Sequence, residues 1–249
     1  MCRHLAYLGP PRSLYELLYA DPYSLHTQSY APREQRHGTV NADGFGVGWY
    51  GPDTGDPAPL RYRRAMPIWA DSSFADAARA VTAYCAVAAV RDATPGFGTD
   101  ESCAQPFRGD TRLFSHNGAA DDDQALAAHL GTPLPPGALD ARTPVDSAPL
   151  FAAALRHWRS GDGLGEALAE VAARARACSP GRYNLLAADG CRLAATADGD
   201  SLYARHGSRG AWLASEPIDD DPAWQRVPDG SLIIADADGL HVSPIAPAA

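Results

Sequence analysis

Apolar residues follow two different periods along the chain, and these periods predict strands and helices. Residues 2–9, 84–93 and 111–118 alternate or carry runs of small and branched apolar residues, which is typical of strands in a buried sheet. The segments 44–51 and 58–65 flank a stretch rich in Gly, Pro and Asp. We therefore expect these two segments to pair as a hairpin.

Helical spacing marks several of the segments between these strands. We expect a short helix over 13–22 that is capped by Ser13, and another over 73–81 that is capped by Ser72 or Ser73. Two more helices follow in the middle of the chain. They cover 122–130 and 145–161, and the second continues into 163–177, where apolar residues recur at helical spacing: Leu164, Ala167, Leu168 and Val171.

The last quarter of the chain has a strand-like pattern again. From residue 182 onward, short apolar segments alternate with turn signals such as ADG and HGSRG, which predicts a meander of antiparallel strands. A block of strands, a pair of helices and a second block of strands together indicate a layered α+β fold. In such a fold two sheets pack between helices.

Charge and composition exclude several classes of function. The chain has 249 residues and a formal net charge of −9, and all 21 of its basic residues are arginine. This acidic balance disfavours a nucleic-acid partner. No apolar run reaches the roughly 18 residues that a membrane span needs, and the N-terminus lacks a signal-peptide pattern. We therefore expect a cytoplasmic protein without a membrane or nucleic-acid partner.

The five cysteines are odd in number and form no CxxC pair, so neither a disulfide framework nor a zinc site is expected. The histidines follow no metal-binding pattern, so we predict no metal and no other cofactor. Cys2 differs from the other four because of its position. Methionine is removed before a small second residue, and the mature chain would then carry a thiol and a free α-amine on Cys2.

That pair of groups can act as a nucleophile with its own base. A thiolate attacks carbonyl carbon, and an α-amine with a pKa of roughly 7.7–8.0 can take the thiol proton through a water molecule. A Met-Cys start also occurs by chance. The other motifs decide between these interpretations.

Three further motifs fit such a nucleophile, and each has a structural alternative. VRDAT places Arg91 after a buried strand, where it would bind a carboxylate or form an ion pair within the protein. FSHNG is either a turn or an oxyanion hole made by the Asn117 side chain and the Gly118 N–H. Asp146 begins a predicted helix, so it is either an N-cap or a receptor for an ammonium group.

Together the four groups match a γ-linked glutamyl substrate. The γ-carbonyl of such a substrate needs a nucleophile and two hydrogen-bond donors. Its α-carboxylate needs an arginine, and its α-ammonium group needs a carboxylate. The sequence therefore predicts an enzyme that cleaves a γ-glutamyl amide bond.

These motifs, in this order and spacing, resemble the class II glutamine amidotransferases of the N-terminal-nucleophile superfamily. The resemblance rests on MCRHLAYLG, NADGFGVGWY, VRDAT, QPFRGDTRLFSHNG and VDSAPLF, and it extends over essentially the whole chain. It implies a four-layer αββα sandwich with two mainly antiparallel sheets. It also implies a single domain over residues 2–249 after the removal of Met1.

The resemblance assigns a role to each catalytic residue. Cys2 is the nucleophile, and Asn117 and Gly118 form the oxyanion hole. Hydrolysis through a Cys2 thioester is then the expected reaction.

The resemblance also assigns the residues that bind the substrate. Arg91, with Thr94, holds the α-carboxylate, and Asp146 binds the α-amine. His116 belongs to the substrate-binding set in a structural role rather than as a base, because the α-amine of the nucleophile already supplies the base.

Within the superfamily, RHGTVNADGFGVGWYG, MPIWADSSFADAARAV and SEPIDDDPAWQRVPDGSL are most similar to stand-alone amidohydrolases of ergothioneine biosynthesis. Those enzymes remove glutamate from γ-glutamyl-hercynylcysteine sulfoxide. For this chain we expect a small-molecule γ-glutamyl substrate and no obligate protein partner. Aromatic rings bind a trimethylammonium group through cation–π contacts, and the candidate residues are Trp49, Tyr50, Trp69 and Trp224. Three alternatives stay open: a glutaminase subunit that delivers ammonia to a separate synthetase, a catalytically silent binding module, and an acylase for apolar amides.

Overall fold

The computed structural model describes residues 2–52, 57–94 and 96–248. The strands are β1 (Arg3–Ser13), β2 (Phe45–Tyr50), β3 (Leu60–Arg64), β4 (Thr82–Val90), β5 (Phe107–Gly109), β6 (Arg112–Ala120), β7 (Gly181–Ala188), β8 (Leu193–Ala197), β9 (Tyr203–Gly207), β10 (Gly210–Ala214), β11 (Gln225–Arg226), β12 (Ser231–Ala235) and β13 (Leu240–Pro244). The α-helices are α1 (Leu14–Leu18), α2 (Leu25–Gln28), α3 (Ser72–Ala80), α4 (Asp123–Leu130), α5 (Ser147–Arg159) and α6 (Leu164–Cys178). None of these helices is long and apolar enough to cross a bilayer.

The strands form two sheets that pack face to face. The first sheet has the order β11-β9-β10-β1-β4-β2-β3, and the second has the order β13-β12-β8-β7-β6-β5. Neighbouring strands within the described ranges pair antiparallel. Helices α1 to α3 cover the first sheet and α4 to α6 cover the second. The predicted four-layer αββα sandwich is confirmed.

Apolar cores fill the space between the sheets and the space under each helical layer. On β1, Leu5 and Tyr7 belong to the core under α1 to α3, whereas Ala6 belongs to the core between the sheets. Side chains alternate between the two faces of a strand. Cys2 and His4 are therefore directed, like Ala6, towards the second sheet.

Local patterns predicted several elements correctly. Strands β2 and β3 form the expected hairpin. Helix α1 begins after Ser13, whose hydroxyl accepts the Glu16 N–H while the Glu16 carboxylate accepts the Ser13 N–H. The predicted cap of α3 is wrong, because Asp71 is the N-cap and its carboxylate accepts the Phe74 N–H.

Two predictions about continuity are wrong. Helices α5 and α6 are separate, because Gly161 adopts a φ of 102° and the chain turns before α6 begins. The last strands do not form one meander either. Strands β9 to β11 join the first sheet beside β1, while β7, β8, β12 and β13 belong to the second sheet. The end of the chain therefore builds both sheets.

Candidate active site

A pocket lies at one end of the sandwich, where the start of β1, the end of β4 and the end of β6 meet. Six of the predicted site residues line it: Cys2, Arg91, Thr94, His116, Gly118 and Asp146. Asn117, the remaining one, is fully buried on β6 beside this lining. The structure thus brings together residues that are as far apart as 2 and 146 in the sequence.

The Cys2 side chain is buried directly before β1. Burial raises the pKa of its thiol, whereas the Arg91 guanidinium and a hydrogen bond from the Asp92 N–H oppose this rise. The net direction is upward, so the thiol is protonated at neutral pH. A base is therefore needed to form the thiolate.

The Gly118 N–H points into the pocket because β5 stops before it reaches this part of β6. Strand β5 pairs only with residues 112–114. Beyond that point, on the same edge of β6, the His116 N–H donates to a glutamine side chain and the Ala120 N–H donates to Asp146. Gly118 lies between these two residues, and backbone N–H groups alternate in direction along a strand. Its N–H is therefore a donor at the open edge.

Only glycine fits at position 118. A Cβ atom there would lie 1.9 Å from the carbonyl oxygen of Arg182 and 2.6 Å from His116 Nε2. The turn interpretation of the Asn-Gly pair is wrong, because β6 continues through both residues to Ala120. Gly118 therefore allows close packing of β7 and leaves its own N–H unobstructed.

Asn117 faces the space between the two sheets and is fully buried. Its Nδ2 donates to Ser215 Oγ over 3.5 Å, and its Oδ1 has no partner among the described residues. A buried amide that is poorly bonded costs free energy. Asn117 therefore keeps hydrogen-bonding capacity that the folded chain does not use.

Arg91 follows β4 and is held in place by the turn before β2. Its N–H donates to the Gly44 carbonyl over 2.8 Å, and its own carbonyl accepts the Asp43 N–H over 2.9 Å. Its guanidinium donates to the Gly98 carbonyl over 2.8 Å. No ion pair within the described ranges joins this guanidinium to a carboxylate. Arg91 is thus a buried cation without an anionic partner there.

Asp146 precedes α5, but its side chain caps none of the N–H groups of that helix. Its Oδ2 accepts the Ala120 N–H over 3.3 Å, and its Oδ1 lies 3.4 Å from Ser147 Oγ. Asp146 therefore occupies the N-cap position of α5, but its carboxylate does not act as a cap. Asp146 is buried and, like Arg91, has no ion-pair partner in the part of the chain that the structure describes.

Both ring nitrogens of His116 are bonded within the protein. Nε2 lies 3.0 Å from the Arg182 carbonyl, which only accepts, so Nε2 carries the hydrogen. Nδ1 then accepts from the Ser147 hydroxyl over 3.1 Å. This arrangement fits the structural role assigned to His116. A direct contact with the substrate stays a prediction.

Sequence analysis missed Gln105, which lines the pocket and is buried. Its Oε1 accepts the His116 N–H over 2.6 Å and the Ser115 hydroxyl over 2.9 Å, while its Nε2 donates to Ser147 Oγ over 3.1 Å. The QPF tripeptide ahead of the HNG motif was the available signal. The contacts of the Gln105 side chain are with residues that are distant in the sequence and that only the fold brings together.

The segment between Arg33 and Asn41 lies beside the pocket and is tied at both ends. The fully buried Glu216 carboxylate accepts the Arg33 N–H over 3.0 Å and the Glu34 N–H over 2.7 Å. At the other end, the Asn41 N–H donates over 2.7 Å to the carbonyl of the residue after α2. Between these anchors, a glycine packs against the carboxylate of Asp92, a residue of the pocket lining.

The aromatic residues considered for a trimethylammonium group, Trp49, Tyr50, Trp69 and Trp224, are not part of this lining. Tyr50 is buried, whereas Trp69 is 40% exposed on the helical side of the first sheet. Within the described ranges, no group of three or more His, Cys, Asp or Glu side chains could hold a metal ion. The pocket itself offers a thiol, two neighbouring amide donors, a cation and an anion.

Comparison with known sequences identifies the protein family that this chain matches. Residues 20–208 match the class-II glutamine amidotransferases. The chain is 44% identical over 242 residues to the gamma-glutamyl-hercynylcysteine sulfoxide hydrolase of Mycolicibacterium smegmatis, which covers 97% of this chain and 98% of the relative. It is 41% identical over 246 residues to the hydrolase of the same name from Mycobacterium tuberculosis, with 98% and 97% covered.

Solved structures show the same fold. A glutamine aminotransferase class-II domain protein from Silicibacter pomeroyi superposes with a TM-score of 0.70 at 24% identity, covering 99% of this chain and 100% of that one. The glutamine phosphoribosylpyrophosphate amidotransferase of Bacillus subtilis gives a TM-score of 0.70 at 16% identity, covering 99% of this chain and 49% of that one. The predicted family is confirmed, and this chain belongs to the class II glutamine amidotransferases.

Proposed function

We propose that this protein hydrolyses the γ-glutamyl amide bond of γ-glutamyl-hercynylcysteine sulfoxide, which releases glutamate and hercynylcysteine sulfoxide in ergothioneine biosynthesis. The observation that carries the proposal is the identity of 40–44% over 97–98% of this chain to hydrolases named for that substrate. We further propose that residues 2–249 act as one domain after the removal of Met1. The reaction takes place in the cytoplasm and uses no obligate protein partner.

Catalysis begins at the Cys2 thiol. The α-amine of mature Cys2 takes the thiol proton through a water molecule, and the thiolate attacks the γ-carbonyl carbon. Asn117 Nδ2 and the Gly118 N–H donate to the oxyanion that forms. The C–N bond then breaks, and the protonated α-amine returns its proton to the departing amine. Water hydrolyses the remaining glutamyl thioester, which releases glutamate and restores the thiol.

Two charged residues hold the other end of the glutamyl group. Arg91, with Thr94 beside it, binds the α-carboxylate, and Asp146 binds the α-ammonium group. Neither Arg91 nor Asp146 has an ion-pair partner within the described ranges, which supports this assignment. A substrate that lacks either charged group would leave a buried charge unpaired and would bind weakly.

The direct test supplies purified protein with γ-glutamyl-hercynylcysteine sulfoxide and, in a separate reaction, with glutamine. Liquid chromatography with mass detection follows glutamate, the released amine and ammonia. We expect equal amounts of glutamate and hercynylcysteine sulfoxide, and far slower ammonia release. Faster release of ammonia from glutamine would instead indicate a glutaminase subunit. No turnover of either compound would indicate a silent binding module.

A further inference from the structure

The geometry points to Gln105 as a positioning residue that sets the length of the glutamyl pocket. Through this length, Gln105 selects glutamyl substrates over aspartyl substrates, which are shorter by one methylene. The inference rests on the proposed γ-glutamyl substrate. It extends that proposal by naming the side chain that determines which substrate length the pocket accepts.

Gln105 joins the two elements that hold opposite ends of the substrate. Its Oε1 accepts the His116 N–H over 2.6 Å and the Ser115 hydroxyl over 2.9 Å, and both donors belong to β6. Its Nε2 donates over 3.1 Å to Ser147 Oγ, at the first residue of α5. Strand β6 carries the oxyanion donors, and α5 follows directly after Asp146. One side chain thus ties the oxyanion hole to the ammonium receptor.

The chemistry at both ends fixes the direction of this amide. The His116 N–H can only donate, so Gln105 presents Oε1 to β6 and Nε2 to α5. Ser147 accepts from Gln105 and donates to His116 Nδ1 over 3.1 Å. A glutamate at position 105 has no hydrogen to give to Ser147. A shorter amide would reach only one of the two elements.

Length is the property that distinguishes a glutamyl group from an aspartyl group. The bond to be cleaved must lie at Cys2 while the α-ammonium group reaches Asp146. The separation between β6 and the start of α5 therefore decides which chain length fits. One methylene in a fitted pocket changes the selectivity by roughly 10–200-fold. Without Gln105, α5 can shift relative to β6, and that selectivity should fall.

The test labels Cys2 with two diazoketones that carry no leaving amine. 6-Diazo-5-oxo-L-norleucine has the length of glutamine, and 5-diazo-4-oxo-L-norvaline has the length of asparagine. Each forms a thioether with the thiolate and loses N2. Intact-mass spectrometry gives the second-order rate constant of labelling for each reagent. The ratio of the two constants measures the selection for length.

We expect wild type to react much faster with the longer reagent. In Gln105→Met, which keeps the side-chain size but loses all three hydrogen bonds, this ratio should fall by about tenfold or more. The matched control is Gln28→Met, which removes a buried amide outside the pocket lining. The ratio in the control should equal that of wild type.

An unchanged ratio in folded Gln105→Met would overturn the inference, and so would an equal loss of rate with both reagents. If Gln105→Met does not fold, Ser147→Ala removes the α5 end of the connection together with the hydrogen bond from Ser147 to His116 Nδ1, and should lower the ratio in the same way. Labelling does not involve a leaving group. If wild type labels selectively, Gln105→Met loses this selectivity and wild type still fails to hydrolyse γ-glutamyl-hercynylcysteine sulfoxide, the result would contradict the proposed function and support this inference.

Discussion

Two asparagines lie directly opposite each other on β6 and β7, and both are completely buried. Asn184 uses its whole amide: Nδ2 donates to the Asp200 and Ser201 carbonyls, and Oδ1 accepts the Asp198 and Asp200 N–H groups. Asn117 makes one bond of 3.5 Å, and its Oδ1 has no described partner. The difference separates an amide whose hydrogen bonds are used inside the protein from an amide that is available to the proposed oxyanion.

The same contrast holds for two aspartates. Asp140 accepts from the guanidinium groups of Arg61 and Arg63 and from the Arg108 N–H. Within the described ranges, the hydrogen-bond contacts of the Asp146 side chain are limited to a backbone N–H and a hydroxyl. Asp140 is therefore satisfied inside the protein and stabilises the fold, whereas the Asp146 carboxylate at the pocket keeps hydrogen-bonding capacity that the described residues do not use. Substitutions of these two kinds of residue should have different consequences.

Replacing Cys2 with alanine should have the largest effect. The variant lacks the thiol that forms the glutamyl thioester, so glutamate release should fall below detection. Mass-detected assays of glutamate measure this loss. Cys191→Ala is the matched control, because that thiol is exposed and far from the pocket lining, and its turnover should equal wild type. Substantial turnover by Cys2→Ala would contradict the role of Cys2.

Substitution of Asn117 and of Asn184 should give the next largest effect and the clearest difference between a pocket residue and a residue that supports the fold. Asn117→Ala should lower kcat by roughly 100–1,000-fold, as expected for the loss of one oxyanion donor, with little change in Tm. Asn184→Ala should instead lower the free energy of unfolding by about 1–3 kcal/mol, because backbone N–H groups lose their acceptor, and should keep kcat. Steady-state kinetics and thermal unfolding test both. Equal effects of the two substitutions on kcat and on Tm would contradict the proposed difference between the two asparagines.

Arg91→Gln should mainly raise KM. A charge-assisted hydrogen bond contributes about 1.5–3 kcal/mol, so kcat/KM should fall roughly 10–150-fold. Asp140→Asn should leave KM unchanged but reduce the free energy of unfolding by about 3 kcal/mol, because it leaves two arginines short of a counter-charge. Kinetics and urea unfolding of both variants distinguish a substrate contact from an ion pair that supports the fold. A raised KM in Asp140→Asn would contradict this separation.

The smallest effect concerns pH and a histidine between the sheets. Burial, together with the charge of Arg3, lowers the pKa of His4 to about 3. The unfolded chain binds a proton here below pH 6.5 while the folded protein does not, so the stabilisation is complete above pH 6.5 and is lost as the pH falls. At pH 5 the loss is about 2 kcal/mol.

His4→Gln removes this titration. Urea unfolding of wild type and variant at pH 7.5 and pH 5 gives the two changes in free energy. The drop between these pH values should be about 2 kcal/mol smaller in the variant. The same drop in both proteins would assign the acid sensitivity to other groups.

Local sequence patterns predicted elements that pair with their neighbours in the chain, such as the β2–β3 hairpin and the helix that Ser13 caps. They failed where the partner is distant. Alternation indicates that β9 and β10 are strands, but it does not state that β10 pairs with β1 rather than with β8. Registers between distant strands depend on which apolar faces meet, and a local window of sequence does not contain that information.

The candidate site residues also fall into two groups: those that local motifs indicate, and those that only the fold brings into position. Cys2, Asn117 and Arg91 could be proposed from the sequence because the chemistry of the proposed reaction requires their residue types within recognisable motifs. Gln105 was missed although the QPF tripeptide contains it, because its proposed positioning role depends on hydrogen bonds to residues 10 and 42 positions away. Its residue type alone fits many surface or core positions. Residues that position a site are therefore harder to predict from a sequence than residues that react.

The anchors at Glu216 and Asn41 have a consequence for cleavage by proteases. Residues 36–40, between these anchors, are exposed, and a trypsin-like protease could cut after Arg36. Each new end would lie within a few residues of its own anchor, and β1 would stay paired with β4 and β10. The nicked protein would run as one particle in gel filtration and as two bands on a denaturing gel. Cys2 and Arg91 would then belong to different polypeptides and still share one pocket.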